Sequence, residues 1–278
     1  MILSKYYVPA FFVLIFLLFF RPDPIPINGD DFWVFNIVRD MVENPSYYSL
    51  SGSGYRLVHK LIYFPFFWLF DFDVQRLSVV TVFITALFST GVAYMTYKFF
   101  AKLWGETTGL VSAFLVGTSN AMYYTTWYWS STHLIIGTTF FMSGMYSLYF
   151  VQRKFLWWSV FAGLAMFSRE TFAIPVALIT TYIVWQDSGR SKWWTLAPVA
   201  VFAAYLVLNK IFLGAFINPT FAGHVQFDID NLAINDTYSR HLSQTLLLPL
   251  LFFFLVFLAV NTVKKGLTIS HPVLILWA

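Results

Sequence analysis

The chain contains no cysteine among its 278 residues, so it has no disulfide framework, no thiolate nucleophile and no thiolate metal site. Charge is scarce as well: Asp, Glu, Lys and Arg together make up 11%, against 59% hydrophobic residues and a mean hydropathy of +0.68. A water-soluble domain of this length cannot carry that balance without large exposed apolar patches. Several signatures are missing too. There is no phosphate-cradling glycine loop, no dinucleotide glycine pattern, no zinc-ligand spacing and no GxSxG, which leaves nucleotide hydrolysis, redox and serine-hydrolase chemistry without a footing. The net charge of +4 gathers into no basic stripe, so nucleic acid is not an expected partner.

What the chain has is long hydrophobic runs. Residues 6–20, YYVPAFFVLIFLLFF, are uncharged and long enough for a first transmembrane helix. They lack the small-residue cleavage site of a removable signal, so the segment is read as retained. Further apolar segments lie at about 77–97, 108–126, 132–151, 155–168, 172–186, 193–212 and 244–262, with a last one opening at 267. The expected fold is therefore an all-α, polytopic membrane bundle of about eight or nine spans, with lipid as its solvent. Residues 56–70, RLVHKLIYFPFFWLF, are interrupted by Pro65 and too short to cross; they predict a juxtamembrane helix. The 11 Trp, 16 Tyr and 33 Phe suit interfacial belts and lipid-facing surfaces, and His59 and His133 read as interfacial polar residues.

Charge sets the orientation. With a cytoplasmic N-terminus, the inner loops hold Lys5, Lys98, Lys102, Arg153, Lys154, Arg190, Lys192, Lys264 and Lys265 against only Glu106 and Asp187. That is the positive-inside pattern at every predicted crossing, and it places the two long loops, 21–76 and 213–243, outside. One span is too short for its task. Residues 155–168 reach only about 21 Å at 1.5 Å per residue, against a hydrocarbon core of roughly 30 Å. Ser168-Arg169-Glu170-Thr171 follows at once, which delivers two ionisable groups into the outer half of the membrane. At that depth such groups pair, line a wet cavity or serve a function.

The other concentration of polar chemistry is Asp30-Asp31, about ten residues past the first span. Two carboxylates this close raise the pKa of one of the pair, which suits a base working near neutrality. On a short helix neighbouring residues point about 100° apart, so one faces a cavity while the other caps the helix beginning near Phe32. Asp31 is assigned the base and Asp30 the cap. Arg56, Lys60, Arg169 and Lys210 are the cations available to oppose a phosphate; Arg169 is the best placed, since a guanidinium chelates phosphate oxygens as a fork. Arg56 serves equally well as a second phosphate ligand or as a balance to the acidic loop. Trp127, Tyr128 and Trp129 suit stacking on a sugar or prenyl chain as well as an aromatic belt.

These words, in this order, resemble the GT-C glycosyltransferases, and within them the protein O-mannosyltransferase-like branch. Gly29-Asp30-Asp31-Phe32-Trp33 is similar to that branch's first-loop acidic motif, and Gly54-Tyr55-Arg56-Leu57 to its YRPL element, with Leu57 in place of the proline. Leu69-Phe70-Asp71-Phe72-Asp73 is similar to the closing lFG-x-D. Thr126-Trp127-Tyr128-Trp129-Ser130-Ser131 resembles the turn between the third and fourth helices, and Ser168-Arg169-Glu170 the S-K/R-E at the break after the fifth. The resemblance covers residues 1–212 as a transmembrane catalytic module. Residues 213–278 are read as a second outward loop and the start of a further transmembrane region, in a short version or a piece of a longer relative.

The resemblance implies inverting transfer of a hexose, mannose being the type, from a polyprenyl-phosphate donor to a hydroxyl on a protein, lipid or glycan at the outer face of the cell membrane. Asp31 and Asp30 would be catalytic, and Arg169, Glu170, Arg56, Tyr55, Trp127 and Trp129 would hold the donor's phosphate and sugar. It implies no metal or other cofactor, although Asp228, Asp230 and Asp236 supply outward carboxylates of the kind that more distant cousins use for a divalent ion. Two other readings stand beside it: a multi-pass transporter of a lipid or small solute, and a relative that keeps the fold without the activity.

The absence of cysteine makes the orientation testable. Single cysteines at Ser51, Ser131 and Asn235 are expected to react with an impermeant thiol reagent in intact cells, and one at Ser188 is not. Labelling at position 188 without labelling at 51 would invert the topology and put Asp31 in the cytoplasm.

Overall fold

The computed structural model describes residues 4–20, 36, 38–44, 46, 57–71, 73–119, 122 and 132–214. The chain divides into two units, Met1–Pro219 and Thr220–Ala278, and all of the described residues belong to the first. They are mostly helical, with no strand among them. In order the helices are α1 (Ser4–Phe19), α2 (Leu57–Leu69), α3 (Val74–Trp104), α4 (Glu106–Gly117), α5 (Thr132–Phe150), α6 (Lys154–Ser168), α7 (Ala173–Gln186) and α8 (Ala197–Leu213). A 3-10 turn, Glu170–Phe172, joins α6 to α7, and a longer one, Arg190–Leu196, leads into α8. Two stretches are long and apolar enough to cross a membrane: Gln75–Trp104, and Arg190–Phe212 counted through its 3-10 start.

α3 is the spine. Its start is fixed by Asp73, whose carboxylate accepts from the backbone N–H of Gln75 at 2.9 Å and of Arg76 at 3.3 Å, satisfying donors that a helix N-terminus leaves orphaned. Just before it, Asp71 adopts the left-handed region with φ 46°. This is the position at which the lFG-x-D pattern carries glycine, and Asp is among the few other residues that tolerate such a backbone. α1 lies against α3, packing Ile15 and Phe19 on Ala86, Val92 and Ala93. α5 pairs with α3 and, most extensively, with α6. α2 joins the same group: its Tyr63 and Phe67 are buried with Leu77 and Ile84 of α3 and with Val38.

Hydroxyls sit inside the bundle beside its apolar core, and large apolar side chains cover much of its outer surface. The face of α3 turned inward carries Thr81, Thr85, Ser89 and Thr96, while Val79, Phe83 and Leu87 are about half exposed on the outer face. The buried hydroxyls donate to the carbonyls one turn back: Thr81 to Leu77 at 2.8 Å, Thr85 to Thr81 at 2.7 Å, Thr96 to Val92 at 2.8 Å. α5 does the same with Ser143 and Ser147. α2 also turns a polar face inward, with His59, Lys60 and Tyr63 buried, and leaves Leu61, Trp68 and Leu69 outside.

α3 and α4 form a tight helical hairpin through Gly105, and Gly109 is what lets them close. A Cβ there would stand 2.8 Å from the Tyr97 carbonyl oxygen and 2.9 Å from the Ala101 nitrogen, both backbone atoms that cannot step aside. Gly109→Ala is therefore expected to lower stability by about 1–3 kcal/mol as an overpacked contact. Gly163→Ala in α6, where the nearest neighbour is the Pro198 Cβ at 3.7 Å, is expected to be neutral or to stabilise by roughly 0.5–1 kcal/mol. Melting temperatures of the two detergent-solubilised variants check the contrast, and equal behaviour would count against this close approach.

Candidate functional site

α6 stops after 15 residues, about 22 Å of rise, as the short apolar run predicts. Ser168, fully buried, closes the helix by donating to the Leu164 carbonyl at 2.7 Å. Arg169 then leaves the helical conformation for an extended one, φ −155° and ψ 129°. Its N–H still bonds the Ala165 carbonyl at 2.9 Å, and its own carbonyl accepts from Phe172 at 3.1 Å, closing the 3-10 turn. The helix is interrupted within one turn, and the side chain of Arg169, half-buried, is directed toward α5.

Three residues of α5, one per turn, hold that break. His133 Nε2 accepts from Nη1 of Arg169. Gly137 makes room for Phe172: a Cβ at 137 would lie 2.4 Å from Phe172 Cε2. Phe141 then meets the Phe172 ring with centroids 5.6 Å apart. The start of α5 is tied to α3 by Thr85 and Thr132, whose hydroxyl oxygens lie 3.3 Å apart. On its other side the His133 ring receives His59 of α2 edge-on, with centroids 5.9 Å apart at 82°, and His59 in turn meets Tyr63 at 4.9 Å. A polar cluster of His59, Tyr63, His133 and Arg169 thus gathers where α2, α5 and the α6 break meet, and Lys60, next to His59 on α2, is buried as well.

Arg169 and Glu170 do not pair, although they are adjacent. Among the described residues no carboxylate lies within ion-pair range of Arg169, and Glu170 is exposed. Lys210, a further cation that the sequence offers, donates to the Gly214 carbonyl at 2.8 Å and so caps the end of α8. The remaining candidates, Asp30, Asp31, Tyr55, Arg56, Trp127 and Trp129, lie outside the described residues, as do Asp228, Asp230 and Asp236. Among the described residues no three His, Asp or Glu side chains converge.

One expectation is corrected. His59 and His133, read from the sequence as interfacial polar residues, are both buried, at 0% and 2% exposure. A signal was present on α2: His59, Lys60, Tyr63 and Phe67 fall at i, i+1, i+4 and i+8, one face of a helix whose other residues are apolar. For His133 the signal was weaker. It sits one turn before Gly137, and only the fold brings that pair against Arg169 and Phe172.

The opposite end of α6 has its own cluster. Lys154 lies 3.8 Å from Asp187, and Lys192 Nζ donates to the carbonyls of Val184 and Asp187 at 2.8 and 2.7 Å, which closes the C-terminus of α7. Lys154 and Lys192, two of the cations predicted for the inner surface, therefore share one end of α6, and Arg169 lies at the other end.

The seat of Phe172 can be tested alone. Gly137→Ala is expected to push Phe172 off α5 and lower stability by about 1–3 kcal/mol, and Gly137→Ala combined with Phe172→Leu to recover part of that loss. If the double variant melts no higher than the single one, the damage does not run through Phe172.

No protein-family model, no curated protein and no solved structure matches this chain.

Proposed function

We propose that the chain is a multi-pass membrane glycosyltransferase of the GT-C kind, which moves a sugar from a polyprenyl-phosphate donor to a hydroxyl acceptor at the outer face of the cell membrane. The observation that carries the reading is the break at Arg169. A helix too short to span stops within the bundle and presents a guanidinium held in place by α5. The exposed apolar side chains of α2 and α3, such as Leu61, Trp68, Val79, Phe83 and Leu87, support a lipid surrounding, and the separation of Arg169 from Lys154, Asp187 and Lys192 along α6 supports opposite membrane sides for the two clusters. The ordered sequence words from Asp30 to Glu170 supply the chemical class.

In this reading the acceptor oxygen attacks the anomeric carbon of the donor from the face opposite the phosphate. Asp31 takes the acceptor's proton, the bond from the anomeric carbon to the phosphate oxygen breaks, and the configuration inverts. The leaving group is a polyprenyl phosphate, and Arg169 stabilises the charge that grows on it. Asp30 caps and orients the acidic loop, while Tyr55, Arg56, Trp127, Trp129 and Glu170 line the donor's sugar and phosphate. No cofactor enters these steps.

A second reading draws on the same break. Discontinuous helices with buried ionisable groups also build the binding sites of secondary transporters. Binding and transfer separate the two. Asp31→Asn, which keeps the shape and removes the base, is expected to cut transfer by about 10² to 10⁴ with donor binding nearly unchanged. Donor affinity should fall from wild type to Arg169→Lys to Arg169→Ala, the alanine losing on the order of 2–4 kcal/mol, as charge-assisted hydrogen bonds contribute about 1.5–3 kcal/mol each. An Asp31→Asn variant as active as wild type in a purified assay removes the catalytic reading of the loop. Solute uptake by the reconstituted protein, with no transfer, favours the transporter.

A further inference from the structure

We propose that His133 is a positioning residue for the phosphate site, directing the Arg169 guanidinium so that its side-on fork is left free for an anion; the proposal rests on the reading of Arg169 as the donor-phosphate ligand. The argument begins with hydrogen-bond inventory. A guanidinium has five N–H donors and no acceptor, so the nitrogen of His133 that meets it, Nε2, accepts. His133 is therefore the neutral imidazole with its proton on Nδ1. The atom it engages on Arg169 is Nη1, the nitrogen on the same side as Cδ. Nε and Nη2, which point together to the other edge, are the pair that grips two oxygens of one phosphate in a bidentate contact.

The support around His133 is what makes it a director. The ring is 2% exposed, stands on the first turn of α5 and is met edge-on by His59, so it cannot swing to follow a mobile arginine. One turn further on, Phe172 is seated against Gly137, which fixes the backbone that carries Arg169. Backbone and guanidinium tip are thus both referred to a single helix. A neutral acceptor also leaves the guanidinium's full charge to an incoming phosphate, which a carboxylate partner would not.

The test uses the full-length protein in detergent, with a short-chain polyprenyl monophosphate as the probe and melting temperature measured beside affinity. His133→Gln keeps an acceptor, Oε1, near the place of Nε2 and is expected to bind within about threefold of wild type. His133→Phe fills the ring's space without an acceptor and is expected to weaken binding roughly tenfold or more, the scale of one hydrogen bond to a charged group. Where the phenylalanine variant does not fold, His133→Asn replaces it, since its side-chain oxygen falls near Nδ1 and cannot reach Arg169. In an Arg169→Ala background neither change should weaken binding further, because a positioning residue acts only through the group it positions.

Wild-type affinity in His133→Phe or His133→Asn overturns the proposal, and a loss in Arg169→Ala at the same time leaves the phosphate reading standing. Equal losses in His133→Gln and His133→Phe, or an undiminished loss in the Arg169→Ala background, also overturn it and assign His133 to packing. Wild-type affinity in Arg169→Ala itself removes the phosphate reading, and this proposal with it.

Discussion

The buried hydroxyls of the described bundle find their partners inside the protein, and that constraint shapes the rest. Large apolar side chains cover much of the outer surface, and the hydroxyls of α3 and α5 are buried or half-buried. A buried hydroxyl without a hydrogen bond costs about 1–3 kcal/mol on the scale of protein mutational data. Thr81, Thr85, Thr96, Ser143 and Ser147 avoid that cost by bonding a carbonyl of their own helix. Being small and locally satisfied, they let helices approach closely, as Gly109 does at the α3–α4 hairpin. Local satisfaction of this kind needs no tertiary partner, which leaves the few tertiary polar contacts free to mark special places.

The α6 break is such a place. Arg169 and Phe172 are three residues apart in a turn that is neither α-helix nor strand, and each is received by a different turn of α5, at His133 and at Gly137 with Phe141. A packed helix face is stiff, so the break inherits its rigidity. The short length of α6 and the rigidity of its end therefore have separate causes. The first is written in its own apolar run, and the second in the spacing of residues on its neighbour.

That division also explains what the sequence reveals. The expected segments at 155–168, 132–151 and 193–212 correspond to α6, α5 and α8 to within a few residues, because an uninterrupted apolar run continues a helix until polar, charged or breaking residues end it. The longest helix runs further than its apolar segment of 77–97, since Asp73 caps it early and Lys98, Phe99, Phe100 and Lys102 continue it to Trp104. Arg169 was legible as an ionisable residue at the end of a short span. His133 was not: a histidine one turn before a glycine carries no message until the fold sets Arg169 and Phe172 against that pair. His59 and Lys60 lay between these cases, their helical face visible in the sequence and its inward direction visible only once α3, α5 and α6 surround it.

The two cations at the ends of α6 are compensated in opposite ways, and the contrast bears on what each can do. Lys154 stands by a carboxylate, Asp187, at a site where both side chains are substantially exposed. A surface pair of that kind is largely neutralised and contributes at most about 1 kcal/mol. Arg169, partly buried, is met instead by an imidazole, while the carboxylate next to it in sequence stays out of ion-pair range. A neutral acceptor fixes direction without cancelling charge. The end of α6 near Lys154 thus ties α6 to α7 through an ion pair, whereas at the other end the Arg169 guanidinium is met by a neutral ring.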